Sequence, residues 1–436
     1  MAYKKPKGTE DLLPVDARAW EAFLTKAWEV FTLYGYEPIE VPTFEKSELF
    51  TRGCGETSDV ATKEIFSVFS IGAVNSLKAG EALKSDQKLA LRPEGTASVV
   101  RAIAEHNLVP QGAAPAKLFY AGPMFRCERP QKGRLREFHQ VGVECLGATD
   151  ATADAEMIIM CMRFFEALGL KSEDMQLLIN SMGCPNCRPA YTQAVKDYMV
   201  EHEDELCDEC KRRIETNPLR AFDCKNEACH AVMDGAPCFS DNLCEECSER
   251  HEQVKAYLEA AGLSYVEDPR LVRGFDYYTG TVFEVQTDKG TGSQSAIGGG
   301  GRYDKLMGEV SGKDLPGLGF AVGFERIMLA LEACGISLDF GAPKTVYVAT
   351  VDDSVRPQAF SILQQLRDAG IAAVGDTQGR SLKSQFKVAG KMDVAAVVVV
   401  GPDELQAGQV TVRNFATHDE AKVAVSEVVE ALRAAI

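Results

Sequence analysis

The segment Met124-Phe-Arg-Cys-Glu-Arg-Pro-Gln-Lys-Gly-Arg-Leu-Arg-Glu-Phe-His-Gln140 carries five basic side chains between Arg126 and Arg136, on what reads as a strand, a loop and a returning strand. Such a hairpin suits a polyphosphate. A planar guanidinium at the end of a rigid strand, here Arg126, can grip a phosphate through two parallel hydrogen bonds and stabilise charge that grows in a transition state. A solvated hairpin tip is the plainer reading of a charged loop, but an arginine fixed on a strand and followed by Phe138 and Gln140 favours chemistry. A second arginine, Arg273, stands in Leu271-Val-Arg-Gly-Phe-Asp-Tyr-Tyr278, and a third, Arg326, follows the glycine-rich run Gly317 to Gly323. Taken alone, Tyr277 and Tyr278 would be aromatic core and Arg326 an ion-pair partner of Glu325. Gly298 to Gly301 are four consecutive glycines, costly to order unless a ligand or another backbone comes close.

Of fourteen cysteines, nine fall within the 64 residues from Cys184 to Cys247. A secreted disulfide scaffold would be a short chain behind a leader, so reduced thiolates holding a metal are the better reading. Three Cys-x-x-Cys pairs (184/187, 207/210 and 244/247) with Cys224 and Cys229 supply ligands for one or two tetrahedral zinc sites. Cys207, Cys210, Cys244 and Cys247 are expected to hold a structural Zn2+, the alternative being buried thiols without metal.

These groups need a scaffold. The pattern predicts a helix over 14–33, stopped by Gly35, and an extended edge segment over 37–44 in which Pro42 spares a ladder donor. Strands are expected at 63–69, 88–91, 116–125, 138–146 and 175–180, at Leu271 and at 281–286, with helices at 97–105, 152–168 and 324–333. Runs of neighbouring strands point to a largely antiparallel sheet flanked by helices, an α+β domain over 1–335. The cysteine-rich, helical stretch 183–261 interrupts it as an insertion. After a spacer containing Gly335, Gly341 and Pro343, residues 342–436 read as a separate α/β domain in the order β, α, β, α, β, β, α, its last helix over 420–434. The near-continuous Val394 to Val400 fits a strand buried on both faces.

Length and composition agree with that division. Four hundred and thirty-six residues exceed one domain, and 45% apolar with 25% charged residues is ordinary for a folded globular chain. No stretch approaches the ~18 apolar residues of a spanning helix, and Met1 to Lys7 leads into Gly-Thr-Glu-Asp rather than an apolar signal core, so a cytoplasmic location is expected. A net charge of −17 argues against coating DNA or anionic membrane by bulk attraction. The tail from Ala342, with ten basic and eleven acidic residues, lacks that excess. In it Arg380, Lys383, Lys387 and Lys391 fall at helical spacing opposite Leu382, Phe386 and Ala389, a basic stripe for phosphate or merely a solvated face.

The hairpin resembles motif 2 of class II aminoacyl-tRNA synthetases, in the form found in the histidyl-tRNA synthetase family. Four more segments resemble that family in its order: Lys7-Gly-Thr-Glu-Asp11, Leu91-Arg-Pro-Glu-Gly-Thr96, the segment Leu271 to Tyr278, and Gly317 to Arg326 as motif 3. The strand holding Pro42 is similar to motif 1, which builds the dimer interface in this class. The resemblance implies a class II antiparallel catalytic core, a C-terminal anticodon-binding domain, a homodimer, and ATP-dependent charging of tRNA(His) with L-histidine through an adenylate. It implies that ATP, with Mg2+, meets Arg126, Arg134, Phe138 and Arg326, and that Arg126, Arg273 and Gln140 serve catalysis. Histidine would meet Glu94, Thr96, Arg126, Gln140, Glu144, Arg273, Tyr277 and Tyr278, the carboxylates matching the ammonium and the two ring nitrogens. Arg129 and Gln131 would touch the acceptor end of the tRNA, and Arg380, Lys383 and Lys387 its backbone; no membrane and no DNA partner is expected. The insertion's cysteines are not general in the family. Two rivals stay open: the histidine-sensing regulatory subunit of ATP phosphoribosyltransferase, which lacks the tail, and a synthetase for another amino acid, which lacks the segment Arg273 to Tyr278.

Overall fold

The computed structural model describes residues 3–435 except 54, 56, 57, 59, 293, 294, 339, 340 and 342. It divides into two compact units, Met1–Phe340 and Gly341–Ile436. The larger is built on a sheet of eight strands: β1 (Glu37–Pro38), β2 (Ala116–Phe125), β3 (Glu137–Leu146), β4 (Gln176–Ser181), β5 (Val266–Glu267), β6 (Thr281–Gln286), β7 (Ala296–Arg302) and β8 (Gly317–Gly323). Their order is β1-β2-β3-β8-β7-β6-β4-β5. The six long strands run antiparallel, and the two-residue strands at either edge pair parallel.

One face of this sheet is covered by the helices Pro14–Leu33, Ala151–Ala167 and Phe324–Ala333. Their apolar residues recur at three and four positions, so each lays one stripe on the sheet. Phe23, Phe31, Phe164 and Phe320 interlock there at centroid separations of 5.1–5.8 Å, tilted or edge to face. Gly35, at φ +78°, ends the first helix as expected from sequence. Asp150 caps the second by accepting a hydrogen bond from the Thr152 amide. Arg302, buried at the end of β7, donates to the buried Asp154 on that helix at 2.5 and 3.0 Å and ties helix to sheet.

Several local expectations are corrected. Residues 63–69 do not form one strand: Val60–Glu64 is a π-helical turn and only Ser67–Val68 pairs, in a small sheet with Phe44–Lys46 and Leu89–Leu91. Ile71–Lys78 is a helix that the sequence reading omitted. Leu271 lies in irregular chain, and Val272, Arg273 and Gly274 after it line a cleft over the sheet.

The smaller unit holds β9 (Val346–Thr350), β10 (Ala373–Gly375), β11 (Ala396–Val400), β12 (Gln409–Asn414) and β13 (Glu420–Ala424) in the order β10-β9-β11-β12-β13. In β11, Ala396, Val398 and Val400 pack into one cluster and Val397 into another, which is why an unbroken valine run was needed. The expected helix 420–434 is split. Glu420–Ala424 returns as an edge strand on β12, and the α-helix is confined to Val428–Ala435, after the 3-10 turn Val425–Glu427. The strand's residues are mostly exposed, so they carry no period-two signal to give it away. No helix among the described residues is long and apolar enough to cross a membrane.

Candidate active site

A cleft of about 640 Å³ opens over the antiparallel strands, and its lining includes Arg126, Arg134, Gln140, Arg273 and Arg326. Arg126 leaves the end of β2; its Nε donates to the Pro93 carbonyl at 2.9 Å and its guanidinium lies over the rings of Phe138 (5.2 Å) and Phe275 (5.6 Å). Stacked and tethered through Nε, it presents its fork to the cleft. Arg326 donates to the carbonyls of Gly133 (3.3 Å) and Ala296 (2.8 Å). Burial foremost, then the charges of Arg134 and Arg126 close by, draws it down to about 10, against the opposing pull of Glu128 and Glu284. Arg273 donates to Glu284 on β6 at 2.5 Å and lies over the Tyr278 ring. Its guanidinium has room because a Cβ at Gly299 would stand 2.8 Å from its Nη1. That close approach is one reason the glycines of β7 cannot carry side chains. Arg134 Nε, Gln140 Oε1 and Arg273 Nε are buried there without hydrogen-bond partners among the described residues, which is costly unless a polar ligand meets them.

Next to the guanidiniums lies an enclosed polar cluster. Glu144, on β3 and 1% exposed, accepts from the Thr96 hydroxyl at 2.7 Å and from the Tyr303 hydroxyl. Burial raises its carboxyl to about 8 despite those two donors. Gly319 faces it across the register of β3 and β8, where a Cβ would stand 2.1 Å from Glu144 Oε2. Glu94 accepts from the amides of Thr96 (2.7 Å) and Ala97 (2.9 Å), so it caps the helix Thr96–His106; burial raises it while Arg126 opposes that shift. Tyr277 and Tyr278 are buried, 4.7 Å apart, and the Tyr278 hydroxyl is raised by burial and lowered by Arg273. A closed pocket with a carboxyl, hydroxyls and two phenols beside a cationic cleft can hold a small amphoteric molecule next to an anionic one.

The structure thus brings Arg126, Arg134, Phe138, Gln140, Arg273 and Arg326 to one cleft, and Glu94, Thr96, Glu144, Tyr277 and Tyr278 to its inner side. Arg129 and Gln131 are exposed on the hairpin loop, which closes through paired bonds between Gln131 and Arg134. In the smaller unit the helix begins at Leu382, so Lys383, Lys387 and Lys391 stand exposed on it while Arg380 precedes it, paired with Asp376 at 2.9 Å. The stripe is therefore shorter than spacing suggested. Sequence reading missed Tyr303 and Glu284, which hold Glu144 and Arg273. A lone acid inside the apolar strand Thr281–Gln286 was the available signal for Glu284; Tyr303 follows the glycine run directly.

The expected metal set is corrected. Cys207 and Cys210 do not share a site with Cys244 and Cys247. The first pair gathers with Cys224 and Cys229, the second with Cys184 and Cys187, each group with all four sulfurs within 4.8 Å of one another. Sequence pattern cannot choose among equivalent Cys-x-x-Cys pairs; the path of the insertion does. Within the groups neighbouring sulfurs lie 3.8–3.9 Å apart. That is the edge of a tetrahedron with Zn–S bonds of ~2.3 Å and far from the ~2 Å of a disulfide. The amides of Asn186 and Asn226 donate to Cys184 and Cys224 Sγ. Amide donation, that of Cys210 foremost, draws Cys207 down to about 7. Both groups fit a zinc ion.

Comparison with known proteins follows the same division. A family model described as Histidyl-tRNA synthetase matches residues 8–327, and one described as Anticodon binding domain matches 345–435. The chain is 45% identical over 436 residues to "Histidine--tRNA ligase" of Desulforamulus reducens, covering all of both chains. It is 43% identical to the protein of the same name from Halothermothrix orenii, covering 99% of each. Among solved structures, the apo histidyl-tRNA synthetase of S. aureus is similar at a TM-score of 0.81 and 34% identity, with 99% of each chain covered.

Proposed function

The chain belongs to the histidyl-tRNA synthetase family and ligates histidine to tRNA(His) for protein synthesis, and from that premise we propose which of its residues carry the reaction. The carrying observation is the convergence of Arg126, Arg273 and Arg326 on a cleft beside the closed Glu144 cluster. Joining a carboxylate to the α-phosphate of ATP brings two anions together, so the site must hold fixed positive charge and set both reactants in line. Arg126 takes the α-phosphate, and Arg273, aligned by Glu284, bridges that phosphate and the histidine carboxylate. Arg326, with Arg134 and Phe138, receives the rest of ATP, which enters with Mg2+ as the family uses it.

Histidine lies inward, its ammonium toward Glu94, Thr96 and Gln140 and its ring against Tyr277 between Glu144 and Tyr278. A carboxylate oxygen of histidine attacks the α-phosphorus and pyrophosphate leaves, giving histidyl-adenylate. The terminal ribose hydroxyl of tRNA(His) then attacks the carbonyl carbon and AMP leaves. Analogues that cannot fill the hydrogen bonds of such a pocket leave buried groups unpaired and are rejected by ~10⁴ or more. The catalytic core spans 1–335 with the insertion 183–261, the anticodon-binding unit 342–436; the enzyme is cytoplasmic and works as a homodimer paired through the motif 1 face. Each cysteine group of the insertion holds one structural Zn2+.

Pyrophosphate exchange tests the assignment. Exchange is expected with histidine alone among the amino acids; exchange with none, or with another amino acid, refutes it. Lys383→Ala with Lys387→Ala is expected to raise the KM for tRNA about tenfold and to flatten its salt dependence, since phosphate contacts release counterions. Arg129 and Gln131 are assigned to the acceptor end.

A further inference from the structure

The two cysteine groups are nested in sequence, and they clamp different things. Cys184 and Cys187 follow β4, where the chain leaves the sheet, and Cys244 and Cys247 start the helix Glu245–Ala260, by which it returns. Val254 and Leu258 of that helix belong to the same core as the helix Ala151–Ala167. This first group closes a loop of 60 residues at its neck. The second group lies wholly inside that loop. Cys210 is on the helix Asp208–Thr216 and Cys224 follows directly on the 3-10 segment Pro218–Asp223, so these two sulfurs bracket the chain from 211 to 223.

That bracketed chain reaches the cleft. Arg213, Arg220, Asp223 and Cys224 are part of its wall, facing Arg126 and Arg273. Asn217 Nδ2 donates to Asp276 Oδ1 at 3.0 Å, and Arg220 Nη1 donates to the main-chain carbonyl of Arg273 at 3.2 Å. Arg213 Nη1 donates in turn to the carbonyl of Arg220 at 2.8 Å. The irregular segment 271–279 has no ladder of its own to fix it, so the Arg220 bond to its backbone and the Asn217 bond to its Asp276 side chain, with the bond from Arg188 Nη1 to the Tyr278 carbonyl, help to set the chain on which Arg273 and Asp276 ride.

We propose that the two groups bind two zinc ions with separate duties: the neck ion holds the insertion to the core, and the Cys207/Cys210/Cys224/Cys229 ion positions Asn217 and Arg220, and through them the Arg273–Asp276 segment, for histidine. The proposal rests on reading both groups as zinc sites. It makes Asn217 and Arg220 positioning residues that act through the segment carrying Arg273 and Asp276, and it makes amino-acid affinity depend on a metal away from the reacting atoms.

The test uses the full-length chain, with zinc measured by elemental analysis and histidine-dependent pyrophosphate exchange followed in parallel. The parent is expected to hold two zinc ions, Cys224→Ser one, and Asn217→Ala two. Both variants are expected to raise the KM for histidine about tenfold, in keeping with the loss of one hydrogen bond or more, with kcat and the KM for ATP within about twofold of the parent. A variant that merely unfolds in part lowers the active fraction, which reduces kcat at constant KM. A parent free of zinc overturns the metal reading on which the proposal rests. With two ions in the parent, loss of both from Cys224→Ser overturns their independence, and a parental KM for histidine in either variant overturns the positioning role.

Discussion

An Arg126→Ala variant is expected to lose histidine-dependent pyrophosphate exchange by about 10³-fold, while its thermal midpoint stays level or rises. The rate falls because a preorganised cation aimed at charge that develops on the phosphate contributes about 10²–10³ per donor, and arginines on transferring phosphates more. Stability does not fall with it. Burial is the first cause of the lowered Arg326, and the charges of Arg134 and Arg126 beside it add to the shift, so removing Arg126 relieves part of that cost. The lost bond to the Pro93 carbonyl, about 1 kcal/mol, and the lost stacking on Phe138 and Phe275 offset part of that relief. Exchange within tenfold of the parent would sink the role given to this residue; a collapse of the thermal midpoint would show that it serves the fold instead.

Glu144→Ala is expected to cut kcat/KM for histidine by about 10³-fold or more, because Thr96 and Tyr303 lose their acceptor and the ring its partner. Glu144→Gln keeps the volume and separates charge from shape. The parent's carboxyl, raised from 4.5 to about 8, holds its proton in the folded state after the unfolded chain has lost it. Its contribution to stability is therefore fully present below pH 4.5 and declines as pH rises to about 8, where it levels off. The thermal midpoint of the ligand-free parent should fall across that window, and Glu144→Gln should remove that part of the slope. Parallel pH profiles for the two proteins would contradict the placement of Glu144 in a closed site cut off from water.

The tRNA and zinc measurements probe other parts of the molecule. The smaller unit can be wrong about RNA without touching the cleft, and the cysteine groups can be metal-free without altering the roles of Arg126 and Glu144.

What the sequence determined is what near neighbours determine. The stripe of Trp20, Phe23, Ala27 and Phe31, the stop at Gly35 and the valine run of β11 follow from side-chain periods of 3.6 and 2 acting within a few residues. Arg126 on its hairpin was legible for the same reason: strand, turn and returning strand are local, and a fixed guanidinium announces its chemistry by type. The Cys-x-x-Cys pairs likewise announced thiolate ligands. Only the tertiary structure decided which pairs meet, because Cys207 and Cys244 have identical local signals and the path of the intervening chain separates them. It also decided that Tyr303 and Glu144, 159 residues apart, share a hydrogen bond, and that Glu284 turns to Arg273. Those meetings are fixed by strand register and by the room left at Gly299 and Gly319, quantities that belong to pairs of distant strands and are written in neither one alone.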